Sequence, residues 1–144
     1  MSPSDPAVTA RCYCGAVTLD LSDPPQTVAY CHCRDCRRWT GAPVAAFAAF
    51  DRDGLTATPA LGAPTVHTAG VERWNCAACG SPLAARFDYL PRQIYVPLGL
   101  LDQIATLAPQ IHCHAESAPP WLHIADDLPR ETGSARDSLN DAAQ

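Results

Sequence analysis

The chain has 144 residues, of which 47 % are hydrophobic but only 7 % aromatic, and it carries 14 prolines and 8 glycines. That length fits one domain, and a core resting largely on alanine is thin enough to profit from metal or covalent cross-links. The formal net charge is −5, which argues against non-specific nucleic-acid binding, since that runs on phosphate neutralisation by Lys and Arg.

Met1–Pro6 has no basic stretch and no apolar run follows it, so no secretory signal is expected and the predicted location is cytoplasmic. The apolar run from Ala42 to Phe50 is too short to span a bilayer and contains Pro43, so no membrane partner is expected. All ten basic residues are arginine, which leaves no side-chain amine for Schiff-base capture of a carbonyl.

In chain order, Ala16–Leu21 alternates apolar and polar residues and is closed by Asp23-Pro24-Pro25, the pattern of a half-buried strand ending in a turn. Further strands are expected at Thr27–His32, Val44–Phe50, Val71–Asn75, Leu83–Phe87, Gln93–Pro97, Pro109–His114 and Trp121–Ile124. Only Arg34–Thr40, between Cys33 and Gly41, reads as a helix. The expected fold is therefore all-β: several small antiparallel sheets packed around metal sites, with one short helix after the second cysteine cluster. Residues 1–9 are expected to be flexible, 10–130 to form the domain, and 131–144 to be a disordered acidic tail.

Eight cysteines in a reducing compartment point to metal ligation more than to disulfides. Two knuckles stand out, Cys12-Tyr13-Cys14-Gly15 and Cys76-Ala77-Ala78-Cys79-Gly80, each ending in glycine. A glycine after the second cysteine permits the left-handed turn that aims backbone amides at the sulfurs. Together the knuckles make a four-thiolate tetrahedral zinc site. A second cluster, Cys31-His32-Cys33-Arg34-Asp35-Cys36, offers three cysteines and no nearby fourth. Structural zinc is closed by four protein ligands, whereas three leave a position for a ligand. Three thiolates make a weak Lewis acid, better suited to activating an incoming thiol than to making hydroxide.

Arg34, Arg37 and Arg38 lie beside these ligands on the short helix. They fit either recognition of a carboxylated thiol or compensation of the anionic metal site. Cys113, flanked by His112 and His114, could complete the second site or be a buried core thiol, and either histidine could serve as proton shuttle, labile ligand or satisfied core residue. Strand alternation is expected to put both histidines on the face opposite Cys113.

These residues resemble the glutathione-dependent formaldehyde-activating enzyme family, which also includes centromere protein V. The likeness rests on Cys12-x-Cys14-Gly15-Ala16-Val17, on Cys31-His32-Cys33-x-x-Cys36 with Gly41-Ala42-Pro43, on Cys76-x-x-Cys79-Gly80-Ser81-Pro82-Leu83, and on Gly99-Leu100-Leu101-Asp102 and Pro120-Trp121. Arg11 and Tyr13 stand where the family commonly has glycine and histidine; neither change removes a ligand. The resemblance implies a fold of coiled β-sheets and two zinc ions per chain, one structural on Cys12, Cys14, Cys76 and Cys79, one catalytic on Cys31, Cys33 and Cys36. It also implies a carbon–sulfur lyase like S-(hydroxymethyl)glutathione synthase, in which a thiol, glutathione, held at the second zinc adds to formaldehyde or a related aldehyde. The alternative function is a non-catalytic thiol-binding or interaction module.

Overall fold

The computed structural model describes residues 6–134, which form two β-sheets and one short helix. In the smaller sheet, β1 (Val8–Arg11) pairs antiparallel with β2 (Thr18–Leu21), and β2 pairs antiparallel with β5 (Leu55–Thr58). The larger sheet takes, from edge to edge, β6 (Val71–Asn75), β7 (Pro82–Phe87), β8 (Gln93–Pro97), β4 (Ala45–Asp51), β3 (Thr27–Cys31) and β9 (Ile111–Cys113). Its pairings are antiparallel except for β3 with β9, which run parallel. Helix α1 (Arg34–Thr40) follows β3 directly.

The sequence of β4, Ala45-Ala46-Phe47-Ala48-Ala49-Phe50, has no polar alternation because both of its faces are covered. Ala48 and Phe50 join Leu19, Leu21, Ile94 and Val96 in a core that unites the two sheets. Ala45, Phe47 and Ala49 point the other way and pack with Ala85, Tyr95, Ile111 and Cys36, under α1. The small side chains of β4 sit at the centre of the larger sheet, and Ala48 and Ala49 are fully buried.

The expected helix is present, and so are the strands expected at β2, β3, β4, β6, β7, β8 and β9, with end shifts of a residue or two. The expected strand at Trp121–Ile124 is not formed. Pro119 and Pro120 precede it, and the Leu122 amide instead closes a turn on the Pro119 carbonyl at 3.0 Å, leaving Trp121 65 % exposed. Two strands were not expected, β1 and β5, both four residues long. β1 begins within the segment expected to be flexible.

Beyond Trp121 the chain returns to β9. His112 donates its amide to Pro129 and accepts from Glu131, and the His114 amide donates to Gly133. Residues 129–133 thus extend the larger sheet beyond β9, and regular pairing runs slightly past both ends of the expected 10–130 span. The expected flexible start and acidic tail otherwise fall, over 1–5 and 135–144, outside the described residues. No helix among the described residues is long and apolar enough to cross a membrane.

Candidate metal centres

The two glycine-ended knuckles adopt one local design. Gly15 (φ +80°) returns its amide to the Cys12 carbonyl at 3.1 Å, and Gly80 (φ +79°) returns its amide to the Cys76 carbonyl at 2.8 Å. This left-handed turn is the conformation that glycine adopts without steric cost. It lets the Val17 and Ala16 amides donate to the sulfurs of Cys12 and Cys14, both at 3.4 Å. Sulfur–sulfur distances are 3.6 Å for Cys12–Cys14, 3.7 Å for Cys12–Cys76 and 3.8 Å for Cys14–Cys76. A tetrahedral zinc with Zn–S bonds of about 2.3 Å requires neighbouring sulfurs about 3.8 Å apart. The four sulfurs, Cys79 included, lie within 4.8 Å of one another and fit such an ion. The Ser81 hydroxyl, 3.1 Å from the Cys79 sulfur, and the Ser81 amide bring that thiol down to about 5.

One knuckle lies between β1 and β2 of the smaller sheet, the other between β6 and β7 of the larger one. This group therefore clips the sheets together.

The second group is local. Cys31 ends β3, Cys33 caps α1 by accepting from the Cys36 amide at 3.3 Å, and Cys36 is in the first turn of the helix. The Cys31 sulfur is 3.5 Å from that of Cys33 and 3.4 Å from that of Cys36. Hydrogen bonds from Cys31 and Cys36 hold the Cys33 thiol far below its ordinary range, while Cys31 is pushed far above by its two neighbours and by burial. Three sulfurs this close share essentially one negative charge until a cation joins them. Spacing and soft donors together fit zinc.

Above the three sulfurs opens a cavity of about 200 Å³, walled by Phe47, Phe87, Tyr89 and Tyr95, with Arg73, Asp35, Cys113 and His114 also on its lining. Burial pushes the Tyr89 phenol up to about 12, and Tyr95 is raised further for the same reason. Both stay protonated at neutral pH.

Cys113 stands opposite Cys31 in the parallel β3–β9 register and lines this cavity, but its sulfur is outside the three-sulfur group. His114 departs from the expected alternation. Its backbone is left-handed (φ 52°), which swings the residue onto the cavity side with Cys113 and leaves only His112 on the opposite face. The fully buried His112 places Nδ1 2.9 Å from His32 Nε2 and Nε2 2.9 Å from Asp126 Oδ2, and Arg130 pairs with the other Asp126 oxygen at 3.1 Å.

Arg34, Arg37 and Arg38 do not line the cavity over the sulfurs. They line a separate open groove with Gly41, Pro43, Pro119 and Trp121, and Arg38 also reaches an intervening hollow shared with Asp35, Trp39 and Arg73. The cavity's arginine is Arg73, on β6, which sequence reasoning missed together with Tyr89, Tyr95 and the His32–His112–Asp126 chain. One signal was available for Arg73: in Arg73-Trp74-Asn75 it alternates with an apolar Trp74, three residues before the first cysteine of a metal knuckle.

A family model described as glutathione-dependent formaldehyde-activating enzyme matches residues 7–117, most of the chain. The chain belongs to that family. No curated protein matches it. Among solved structures it is similar to the crystal structure of a Rhodobacter sphaeroides protein, at 19 % identity and a TM-score of 0.51, covering 85 % of this chain and 98 % of that one. At that identity the likeness is one of fold. The match to the formaldehyde-activating family stops short of Asp126 and Arg130, so the segment that completes the buried histidine chain lies beyond it.

Proposed function

We propose that this protein is a carbon–sulfur lyase of the cytoplasm that joins a small-molecule thiol, glutathione or a similar one, to formaldehyde or a related aldehyde. The observation that carries this reading is the group of Cys31, Cys33 and Cys36, one ligand short of a closed zinc site, at the floor of an aromatic-walled cavity. A zinc ion held there supplies a position that lowers the pKa of an incoming thiol. Cys12, Cys14, Cys76 and Cys79 would hold the structural ion. All seven of these cysteines are free of disulfides and available as ligands.

Phe47 and Phe87 line the cavity with apolar surface, which would strengthen polar interactions at the reacting atoms. The sulfur lone pair forms the new C–S bond, the carbonyl π pair moves onto oxygen, and the proton lost by the thiol ends on that oxygen. No oxidant or reductant is needed. Tyr89 and Tyr95, kept protonated by burial, are hydrogen-bond donors to the oxygen as charge develops on it.

The test is formaldehyde loss with glutathione, followed by NMR on protein of measured zinc content, for the native chain and for Cys36→Ala. The adduct should form faster than without protein, and the acceleration should vanish in Cys36→Ala. No acceleration by native, zinc-loaded protein would leave a thiol-binding module without turnover.

A further inference from the structure

The guanidinium of Arg73 is held by aromatic rings, yet one of its buried donors is left without an acceptor. Its central carbon lies 4.5 Å from the centre of the Trp39 ring and 5.7 Å from that of Phe87, so the group is clamped between two aromatic faces. Trp39 is itself fixed by a hydrogen bond to Asn75 at 3.0 Å and by stacking on Phe47. The Nη1 atom of Arg73 is buried and has no hydrogen-bond partner among the described residues, sulfur atoms included. Nor does any carboxylate among the described residues form an ion pair with it, although Asp35 lines the same cavity.

A guanidinium is always charged, and a buried donor without an acceptor is costly. Charge balance with the three sulfurs would account for a cation nearby, but it leaves the Nη1 donor unused. A planar donor already immobilised by two rings loses little further freedom when it meets a planar acceptor, which is the arrangement suited to a bidentate carboxylate. Arg73 also lines the adjoining hollow of about 330 Å³ with Trp39, His67 and Arg38, so a ligand can keep its sulfur end in the triad cavity while its anionic end leaves past Arg73.

We propose that Arg73, clamped by Trp39 and Phe87 beside the Cys31–Cys33–Cys36 cavity, is a carboxylate-binding residue that selects thiols bearing a carboxylate over neutral ones. This rests on the thiol-binding reading above. It moves anion recognition from the arginines of α1 to a strand of the larger sheet.

The experiment is calorimetric titration of zinc-loaded protein with 3-mercaptopropionate and with 2-mercaptoethanol, which are close in size and differ in the carboxylate. Native protein should bind the first at least tenfold more tightly. Arg73→Met should abolish that preference while leaving 2-mercaptoethanol binding and zinc content unchanged, and Arg73→Lys should restore part of it. Equal affinity of the native protein for both thiols would overturn the role of Arg73 alone, and needs no variant to fold. Equal weakening towards both thiols in Arg73→Met, or loss of zinc with the preference intact, would assign Arg73 to charge balance and overturn it likewise. If zinc-loaded native protein bound neither thiol, the thiol-binding reading would fall and this inference with it.

Discussion

The two cysteine groups use the same donor atom at nearly the same spacing, yet they are built into the molecule in different ways. The four-sulfur group draws its members from residues 12–14 and 76–79, one pair from each sheet, so an ion there closes a loop of more than sixty residues and holds two layers together. The three-sulfur group draws all its members from a strand end and the first turn of the helix that follows, a span the backbone fixes without help. Closing a long loop offsets much chain entropy, whereas closing a span of six residues offsets little. The contrast teaches that ligand count and sequence span act in the same direction here: the closed group is placed to stabilise the fold, the open one to be reached from a cavity.

The largest expected effect is therefore at the closed group. Structural zinc contributes about 10–16 kcal/mol of folding free energy in small domains, comparable with or above the total of about 5–15 kcal/mol that keeps a domain folded. Cys12→Ser, which removes a buried ligand, should leave the chain unfolded at room temperature by circular dichroism. A cooperative thermal transition close to that of the native protein would show that the sheets do not depend on this ion.

Cys36→Ser should do the reverse. Zinc measured by mass spectrometry should fall from two ions per chain to one, and thiol binding should disappear, while the melting transition stays cooperative and moves much less than in Cys12→Ser. If both variants unfold alike, both groups are structural and the comparison fails.

A third, smaller effect concerns what braces the open group from behind. His112 bridges His32, which lies between two of the sulfur ligands, and Asp126, which arrives with the last described segment. His112→Leu fills the space but leaves the buried His32 without that partner, at about 1–3 kcal/mol for a buried unsatisfied group, and removes one of the bonds to Asp126. The hydrogen bond from His112 is the main cause that holds the Asp126 carboxyl below its usual value. A depressed carboxyl stabilises the fold above its unfolded value, about 4, and that contribution is lost as pH falls through the lower native value. The gap in denaturant midpoint between native and variant protein should accordingly be full at pH 7 and narrow only in acid. A gap unchanged down to the acid limit would mean that packing alone, and not this bond, is lost.

Legibility in the sequence followed the same division. Both cysteine groups could be read from spacing because their ligands come in short runs, and because Gly15 and Gly80 mark the turns that present them. Most of the strands could be read too, although β4 shows an apolar run without alternation because it is covered on both faces. What could not be read depends on partners far apart in the chain. His32 and His112 are eighty residues apart and meet only because β9 lies parallel to β3. Arg73 reaches the cavity because β6 forms the far edge of the larger sheet and faces α1, a relation no local pattern encodes. The arginines of α1 were conspicuous through adjacency in sequence, but a helix turns successive residues to different sides, and theirs is the groove with Trp121.

The smallest expected effect tests how far strain travels from each group. Gly80 in the closed group (φ +79°) and Gly41 at the end of α1 (φ +75°) both have left-handed backbones, and a Cβ added at either would meet nothing within 4 Å. Replacing either by alanine should thus cost only the backbone penalty, about 1–2 kcal/mol. The consequences for the metal should differ. The Gly80 amide closes the turn on Cys76, one of the ligands, so Gly80→Ala should speed zinc loss to a competing chelator, because binding and local folding are coupled there. The Gly41 amide caps the last turn of α1 on Arg37, whereas Cys33 and Cys36 sit at the first turn, so Gly41→Ala should lower the melting temperature by a similar amount while the zinc-release profile stays that of the native protein. Faster loss from the open group in Gly41→Ala would show that the whole helix, and not its first turn, holds the three sulfurs in place.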